Sequence, residues 1–314
     1  MKYMFIFFLC LSTLFALPPI GSIKADGNVM DIVYHDGNIL VATDNGFVES
    51  YELNSSKLTK KIEFEKITDF TGDLIGAKIY SVDILQNGSI LAVVQGKSFY
   101  RKLALVRDDK IKILLDSSKK LMIKKAKFID ENRVLIALLS NELILYDIKK
   151  EKNIYRISLS QSQFSDFALN EDKSEVACSS ESGGVVLVDV QKGKKLRTLN
   201  SGNVDNVYKV DFKKNTIISA GQDRRGIVYH LPKGNFDRYD ASFLIYACAL
   251  SKDARYGALA IDEDNDIAVF DLKTKKQIAL LKGQESTLNS IVFIDNKTLV
   301  SGSDDKNIKI WRIK

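Results

Sequence analysis

A strand-like segment that recurs at nearly constant spacing constrains the fold of this chain more than any other feature. Each copy contains apolar residues followed by one polar residue and then Leu, Ile or Val. The copies are FVESYEL, ELILYDI, GVVLVDV, GIVYHL, DIAVFDL and NIKIWRI, with Glu52, Asp147, Asp189, His230, Asp271 and Arg312 as the penultimate polar residues. From Asp147 onward the spacings are 42, 41, 41 and 41 residues. A period of about 40–45 residues that holds several short strands is typical of β-propeller blades.

The spacing also gives the number of repeats. Glu52 and Asp147 are 95 residues apart, and Leu105 occupies the missing position 42 residues before Asp147. Seven repeats predict an all-β, seven-bladed ring. The last repeat holds three strands before Lys314, so we expect Ile20–Lys24 to supply its fourth strand and close the ring, which removes an exposed sheet edge.

Small residues mark the second strand of several repeats. We expect these strands to crowd toward the central axis, and the strands near the axis to consist mainly of Ala, Val, Leu, Ser and Cys. The small residues are Ala42-Thr43, Ala177, Ser219-Ala220, Ala258, Ala260 and Ser301.

The first residues have the layout of a secretory signal peptide. Met1 and Lys2 precede an apolar run of 15 residues that ends at Leu17, and Ala16 offers a small residue for cleavage. The run is shorter than the roughly 20 residues that span a bilayer as a helix, although an uncleaved anchor is the alternative. We therefore predict residues 1–16 as a signal peptide, 17–314 as the propeller, and the periplasm as the location.

The last repeat resembles the WD40 family. In residues 280–314, Gly283-Gln284 stands at the family's Gly-His pair, Trp311 at its Trp and Ser301 in its small-residue run. The resemblance implies a buried turn aspartate six residues before the Trp, which is Asp305. It extends over residues 20–314 and is strongest in blades 5–7.

The same offset assigns structural turn aspartates to two more blades, namely Asp264 and Asp223. Arg312 departs from the Asp that usually follows the family Trp. Earlier blades have Asn45, Ser140 and Ser182 at the turn position, so there we expect the buried polar bridge to be weaker or rebuilt.

Residues that could carry catalysis or hold a metal are few. The two histidines, His35 and His230, stand in different blades, and we interpret His230 as a surface or packing residue. Cys178 and Cys248 fall in non-neighbouring blades, too far apart for the ~5.5 Å Cα separation of a disulfide. The turn Asp262–Asp266 could offer oxygen ligands to calcium, but it lacks EF-hand spacing and Asp favours tight turns. We predict no catalytic residue, no cofactor and no metal.

Two segments are candidates for partner binding. The turn GQDRRG places Gln222, Arg224 and Arg225 on a tight loop, where arginines suit carboxylates; a solvated turn is the alternative. The long connection Ile67–Ala77 contains Phe70 and Leu74, which either bind a partner or cap the core. We favour capping.

These features predict a non-enzymatic, monomeric scaffold for protein partners. The net charge of +6 is dispersed, which disfavours nucleic acid. The leader, the weak repeats and the QDRR turn resemble the NapL-type accessory proteins of the periplasmic nitrate reductase system, which implies reductase components as partners. The alternatives are a propeller hydrolase or lactonase with a central metal, and an envelope assembly propeller.

Overall fold

The computed structural model describes residues 16–314, and in them six four-stranded sheets and one five-stranded sheet form the predicted seven-bladed β-propeller. The first strand of each blade contacts the first strand of the next blade, and the last blade contacts the first in the same way. The ring therefore closes around a central axis. No helix in this part of the chain is long and apolar enough to cross a bilayer.

The strands follow one order throughout, from the axis outward. Two short strands come first in the chain, β1 (Ala16–Leu17) and β2 (Gly21–Lys24). Blade 1 holds β3 (Val29–His35), β4 (Asn38–Thr43), β5 (Phe47–Glu52) and β6 (Leu58–Glu63), and a small hairpin follows it, β7 (Ile67–Thr68) and β8 (Leu74–Ile75). Blade 2 holds β9 (Ile79–Ile84), β10 (Ile90–Gln95), β11 (Arg101–Arg107) and β12 (Lys110–Leu115). Blade 3 holds β13 (Ile123–Phe128), β14 (Arg133–Leu138), β15 (Glu142–Asp147) and β16 (Lys152–Ser158).

The second half of the ring repeats this arrangement. Blade 4 holds β17 (Phe164–Leu169), β18 (Glu175–Ser180), β19 (Val185–Asp189) and β20 (Lys194–Leu199). Blade 5 holds β21 (Val207–Lys213), β22 (Thr216–Gly221), β23 (Arg225–His230) and β24 (Asn235–Asp240). Blade 6 holds β25 (Cys248–Leu250), β26 (Tyr256–Ala260), β27 (Ile267–Asp271) and β28 (Lys276–Leu281), and blade 7 holds β29 (Leu288–Phe293), β30 (Thr298–Ser303) and β31 (Asn307–Arg312). Two 3-10 turns, Lys97–Phe99 and Ser117–Lys119, flank β11 and β12.

Apolar side chains between adjacent blades form the core. Residues 16–314 contain seven buried clusters, and each cluster joins two neighbouring blades, including blade 7 with blade 1. A blade cannot bury both of its faces alone, so closure of the ring supplies the missing partner for the two end blades. Cys178 and Cys248 are free and buried in different blades.

The predicted closing strand is confirmed. Strand β2 pairs antiparallel with β31 and becomes the fourth strand of blade 7, with Gly21 opposite Ile310 and Lys24 opposite Asn307. Ile20 adds a backbone hydrogen bond of 2.7 Å to the carbonyl of Ile310. Ile23 is 4% exposed and packs between blades 7 and 1.

Replacing Ile23 by Ala is expected to lower the free energy of unfolding by roughly 2–3 kcal/mol. The change removes buried methyl groups from the seam that closes the ring, and such changes cost about 2–5 kcal/mol in well-packed cores. Urea unfolding of both proteins measures the difference. Ser22→Ala, on the exposed side of the same strand, is the control, and an equal loss in both variants would contradict the prediction.

A second strand near the N-terminus was not foreseen. Strand β1 pairs in parallel with the outer strand of blade 6, with Leu17 opposite Leu281, and Leu17 packs against the cluster between blades 6 and 7. Residues 1–15, which contain nearly all of the predicted signal peptide, lie outside the described residues, so cleavage stays a prediction.

The expected radial order of the strands was wrong. The small residues of the second strands are buried inside the blades, and the first strands line the central channel. These first strands carry charged side chains, not mainly Ala, Val, Leu, Ser and Cys. Those that face the channel include Asp31, Asp83, Lys125, Lys127, Asp166, Lys209 and Asp211.

Candidate functional site

The ring has two ends that differ in the loops they carry. One end carries the links between blades and the turns between second and third strands, and we call it the linker face. The other end carries the first-to-second and third-to-fourth strand turns. All of the residues predicted from sequence as partner-binding or structural turn residues lie at or near the linker face, except Trp311, which lies inside blade 7.

Blade 7 contains a buried hydrogen-bond network that leads from its core to the linker face. The indole Nε1 of Trp311 donates to Ser301 Oγ at 2.8 Å, and Ser301 Oγ donates to Gln284 Oε1 at 2.7 Å. Gln284 Nε2 donates to Ser303 Oγ at 2.6 Å, and Ser303 Oγ donates to Asp305 Oδ1 at 2.8 Å. Each of the four donors in this network has an acceptor, so the network holds the turn around Asp305 in place.

Blade 5 builds a similar network with different residues. Asn203 Nδ2 donates to Asp223 Oδ1 at 2.9 Å, and Ser219 Oγ donates to Asn203 Oδ1 at 2.6 Å. Asp223 also accepts the backbone N–H groups of Val204 and Arg225. Sequence reasoning missed Asn203, although it precedes the first strand of its blade much as Gln284 precedes the first strand of blade 7.

Blade 6 does not bury Asp264. The turn between paired Ala260 and Ile267 has six residues, whereas the turn between Gly302 and Ile308 in blade 7 has five. Because of the extra residue, the position six residues before Phe270, which is Asp264, lies at an exposed point of the turn. Asp266 is the buried aspartate, and its carboxylate lies 2.5 Å from Lys282 Nζ. Burial raises the pKa of Asp266 in spite of that ammonium.

The QDRR turn divides between the surface and the blade. Arg224 is exposed, whereas Arg225 is half-buried and its guanidinium lies 3.8 Å from Asp223. The two arginines therefore do not form a joint fork. Gln222 Oε1 accepts a 2.8 Å hydrogen bond from the hydroxyl of Tyr208, on the first strand of the same blade.

The connection between blades 1 and 2 forms a small hairpin that projects from the linker face. Its strands β7 and β8 pair with each other alone, and the turn between them is held by Asp69. Phe70 is 98% exposed and Leu74 is 66% exposed. The favoured interpretation that these side chains cap the core was therefore wrong, and only Ile67 of this hairpin packs against the core.

Most charges within the channel are paired across blades. Lys125 Nζ lies 2.7 Å from Asp166 Oδ1, and Lys127 Nζ donates to the carbonyl of Val82 at 2.7 Å. Four aspartates accept backbone N–H groups from the next blade around the ring. They are Asp31 from Val82, Asp83 from Phe128, Asp166 from Val210 and Asp211 from Leu250.

The end of the channel at the linker face differs from the rest. A cavity of about 190 Å³ lies there, and we call it the channel mouth. Its polar and aromatic lining residues come from all seven blades; they are Asp31, Tyr80, Ser81, Lys124, Lys125, Asp166, Tyr208, Lys209, Tyr246 and Asn289. The rings of Tyr208 and Tyr246 stack with centroids 4.9 Å apart.

Two of the three lysines that line the channel mouth lack the ion pair that the third, Lys125, forms. In the part of the chain that the structure describes, neither Lys124 nor Lys209 forms an ion pair, and neither side chain donates a hydrogen bond to a protein group. Partial desolvation of the ammonium group, together with the positive charges of Lys209 and Arg101, lowers the pKa of Lys124 to about 8. The sequence signal was a polar residue or Tyr at the second or third position of six of the seven first strands, a pattern too short to stand out among surface lysines.

The remaining candidates for metal binding lie apart. Residues 16–314 contain no group of three or more His, Cys, Asp or Glu side chains placed to hold a metal ion. His230 Nε2 lies 3.0 Å from Asp237 Oδ2 on the neighbouring strand of its own blade.

The architecture defines the protein as a seven-bladed β-propeller with a charged, partly aromatic channel mouth. Residues 275–312, which cover β28 and the three long strands of blade 7, match the family described as WD domain, G-beta repeat. The match and the seven-bladed ring together support a WD40-repeat propeller. A search of curated proteins finds no match.

Proposed function

We propose that this protein is a non-enzymatic scaffold that binds a protein partner through its linker face. The observation that carries the proposal is the projecting hairpin with Phe70 and Leu74, because large apolar side chains exposed on a rigid ring are costly unless a partner covers them. Propellers are commonly interaction modules, and the fold is consistent with that role.

Further exposed apolar residues lie on the same face. Phe99, in the turn between β10 and β11, is 83% exposed, and Val204, in the link between blades 4 and 5, is 69% exposed. Loops held by a rigid scaffold are where binding residues concentrate. Arg224 and Gln222 add polar groups to this face, as an interface rim requires.

The paired charges of the channel support a non-enzymatic role over a hydrolase with a central metal. A metal would need carboxylates free to coordinate it, and the channel aspartates accept backbone N–H groups and lie beside lysines. Metal analysis of the purified protein tests this directly, and a stoichiometric divalent ion would contradict the scaffold proposal.

We expect the double variant Phe70→Asp, Leu74→Asp to bind its partner at least ~10-fold more weakly, as loss of a central apolar anchor does. Its free energy of unfolding should change by no more than about 0.5 kcal/mol, because both side chains are solvent-exposed. The control Leu58→Asp alters a half-exposed leucine on the outer strand of blade 1. Equal capture of the partner by the double variant and by the control would contradict the proposal.

The partner that we propose to test first is the periplasmic nitrate reductase, and the location that we propose is the periplasm. This rests on the predicted signal peptide of residues 1–16 and on the resemblance of the QDRR turn and weak repeats to accessory proteins of that system. The test is cross-linking in intact cells with the native and double-variant proteins, followed by a reductase assay after gene deletion. Undiminished reductase activity and maturation without the gene would argue against this partner.

A further inference from the structure

We propose that the channel mouth binds a carboxylate group from an acidic segment of the protein partner, held between Lys124 and Lys209 beside the stacked rings of Tyr208 and Tyr246. This inference rests on the proposed scaffold function and names the chemistry that one part of the linker face recognises.

The first argument is the contrast between lysines along the channel. The other channel lysines have acceptors, as in Lys125 with the carboxylate of Asp166, Lys127 with the carbonyl of Val82 and Lys173 with the carbonyl of Phe128. Lys124 and Lys209 line the same cavity without such an acceptor in the described chain. Two ammonium groups in one confined cavity repel each other, and an anion between them removes that repulsion.

The second argument is the charge of the cavity as a whole. The charged residues that line it are three lysines, Lys124, Lys125 and Lys209, and two aspartates, Asp31 and Asp166, which leaves one positive charge in excess. A single carboxylate matches this excess. A phosphate dianion would exceed it and would face the two aspartates at close range.

The third argument is size and lining. At about 190 Å³ the channel mouth is smaller than the roughly 300–1,000 Å³ of pockets for drug-sized ligands, so it fits a side chain or a chain end. The Tyr208–Tyr246 pair offers an apolar face to the neighbouring residue of a peptide. Tyr80 is fixed by the guanidinium of Arg101, whose Cζ lies 3.6 Å from the ring centroid, and Arg101 itself donates to the carbonyl of Ile123.

A row of phosphates would require a different surface. Nucleic-acid binding relies on many phosphate contacts along a basic stripe. The mouth offers two unpaired lysines that line one small cavity and no such stripe within it. An acidic peptide is therefore the ligand class that the cavity favours.

The probe is a fluorescein-labelled peptide, Glu-Glu-Tyr-Glu-Glu with an amidated C-terminus, and its binding to the full chain is measured by fluorescence anisotropy. The same peptide with a free C-terminus distinguishes capture of a chain end from capture of a side chain, and Gln-Gln-Tyr-Gln-Gln removes the charge. We expect the glutamate peptide to bind and the glutamine peptide to bind at least ~10-fold more weakly.

Charge-removing variants test the residues. Lys124→Met with Lys209→Met is expected to lose at least ~10-fold in affinity, and Lys276→Met, on the exposed outer strand of blade 6, should bind as the native chain does. Lys124→Arg keeps the charge. Because the ordinary pKa of Arg is far above the assay range, its peptide affinity should stay nearly constant from pH 7 to pH 9, whereas that of the native chain falls as Lys124 loses its proton.

The groups that surround Lys124 set this pH dependence. Those that favour its neutral form are Lys78, Arg101 and Lys209, and the one that favours its charged form is Asp166. Asp31 and the hydroxyls of Tyr80, Tyr208 and Tyr246 line the same cavity. A bound carboxylate raises the pKa of Lys124, so binding near pH 8–9 should take up a proton, which calorimetry in two buffers measures.

Several results would overturn the inference. They are absence of binding by the native chain at millimolar peptide, equal affinity of the double variant and Lys276→Met, and displacement of the peptide by oligothymidine at lower concentration. The two proposals can fail independently. The double variant Phe70→Asp, Leu74→Asp leaves the channel mouth intact, so it should bind the peptide as the native chain does even if the hairpin binds no partner.

Discussion

Trp311→Ala is expected to lower the free energy of unfolding by about 3–5 kcal/mol, the range for removal of a large buried aromatic side chain. Trp311 is fully buried between blades 6 and 7. The variant leaves a cavity at that seam and removes the donor that begins the network through Ser301 and Gln284. Equilibrium unfolding in urea, with the midpoint and slope compared to the native chain, measures the loss.

Two further variants divide this effect into its parts. Trp311→Phe keeps most of the apolar volume and removes the indole N–H, so it should cost less than Trp311→Ala. Phe236→Ala removes an aromatic ring that is 38% exposed on the outer strand β24 and is the matched control. If Phe236→Ala lowers the free energy of unfolding as much as Trp311→Ala does, the stability does not depend on burial of Trp311 between blades 6 and 7.

Asp166→Asn is expected to cost about 3–5 kcal/mol, as removal of one partner from a buried ion pair does, because it leaves the charge of Lys125 without its carboxylate. The side chain of Asp166 is 4% exposed and that of Lys125 is 16% exposed. Asn can still accept the N–H of Val210, so the change isolates the charge. Adding Lys125→Met to this variant should restore much of the lost stability, and the double-mutant cycle measures the coupling.

The pH dependence of this pair has a definite sign. Burial alone would raise the pKa of Asp166, but the charges of Lys125 and Lys209 outweigh it and hold that pKa below its ordinary value. The stabilisation is therefore present above the unfolded-state pKa of about 3.9 and is lost as the pH falls through the folded-state pKa. The stability gap between native chain and Asp166→Asn should be full at pH 7 and shrink below about pH 4. A gap that does not change with pH would contradict this account.

The blade count was predictable from sequence because the third strand of each blade repeats a recognisable pattern. Strand β11 with Leu105 and the closing strand β2 both lie where the spacing indicated. Radial order was not predictable in the same way. Alternation of apolar residues shows which faces of a strand are buried, but not which strand lies nearest the axis. The small residues of the second strands therefore led to the wrong prediction that these strands line the channel.

The candidate site could be predicted only in part. Trp311 and Asp223 were predicted because the residues of each hydrogen-bond network stand at fixed spacings within one repeat. The prediction of a buried turn aspartate at Asp264 was wrong because the turn in blade 6 has one residue more than the turn in blade 7. The channel mouth combines one or two residues from each of the seven blades, among them Lys124 and Lys209, and no pattern within a single repeat indicates that they meet.

The two short strands near the N-terminus constrain the order in which the protein can mature. Residues 16–24 add β1 to blade 6 and β2 to blade 7, so the earliest part of the described chain completes the two blades that are synthesised last. During synthesis, blades 1 to 5 are made before blades 6 and 7, so this segment has no strand partner until the last two blades are complete. The ring is therefore a product of the finished polypeptide, and any factor that holds the early segment would delay ring formation without touching the first five blades.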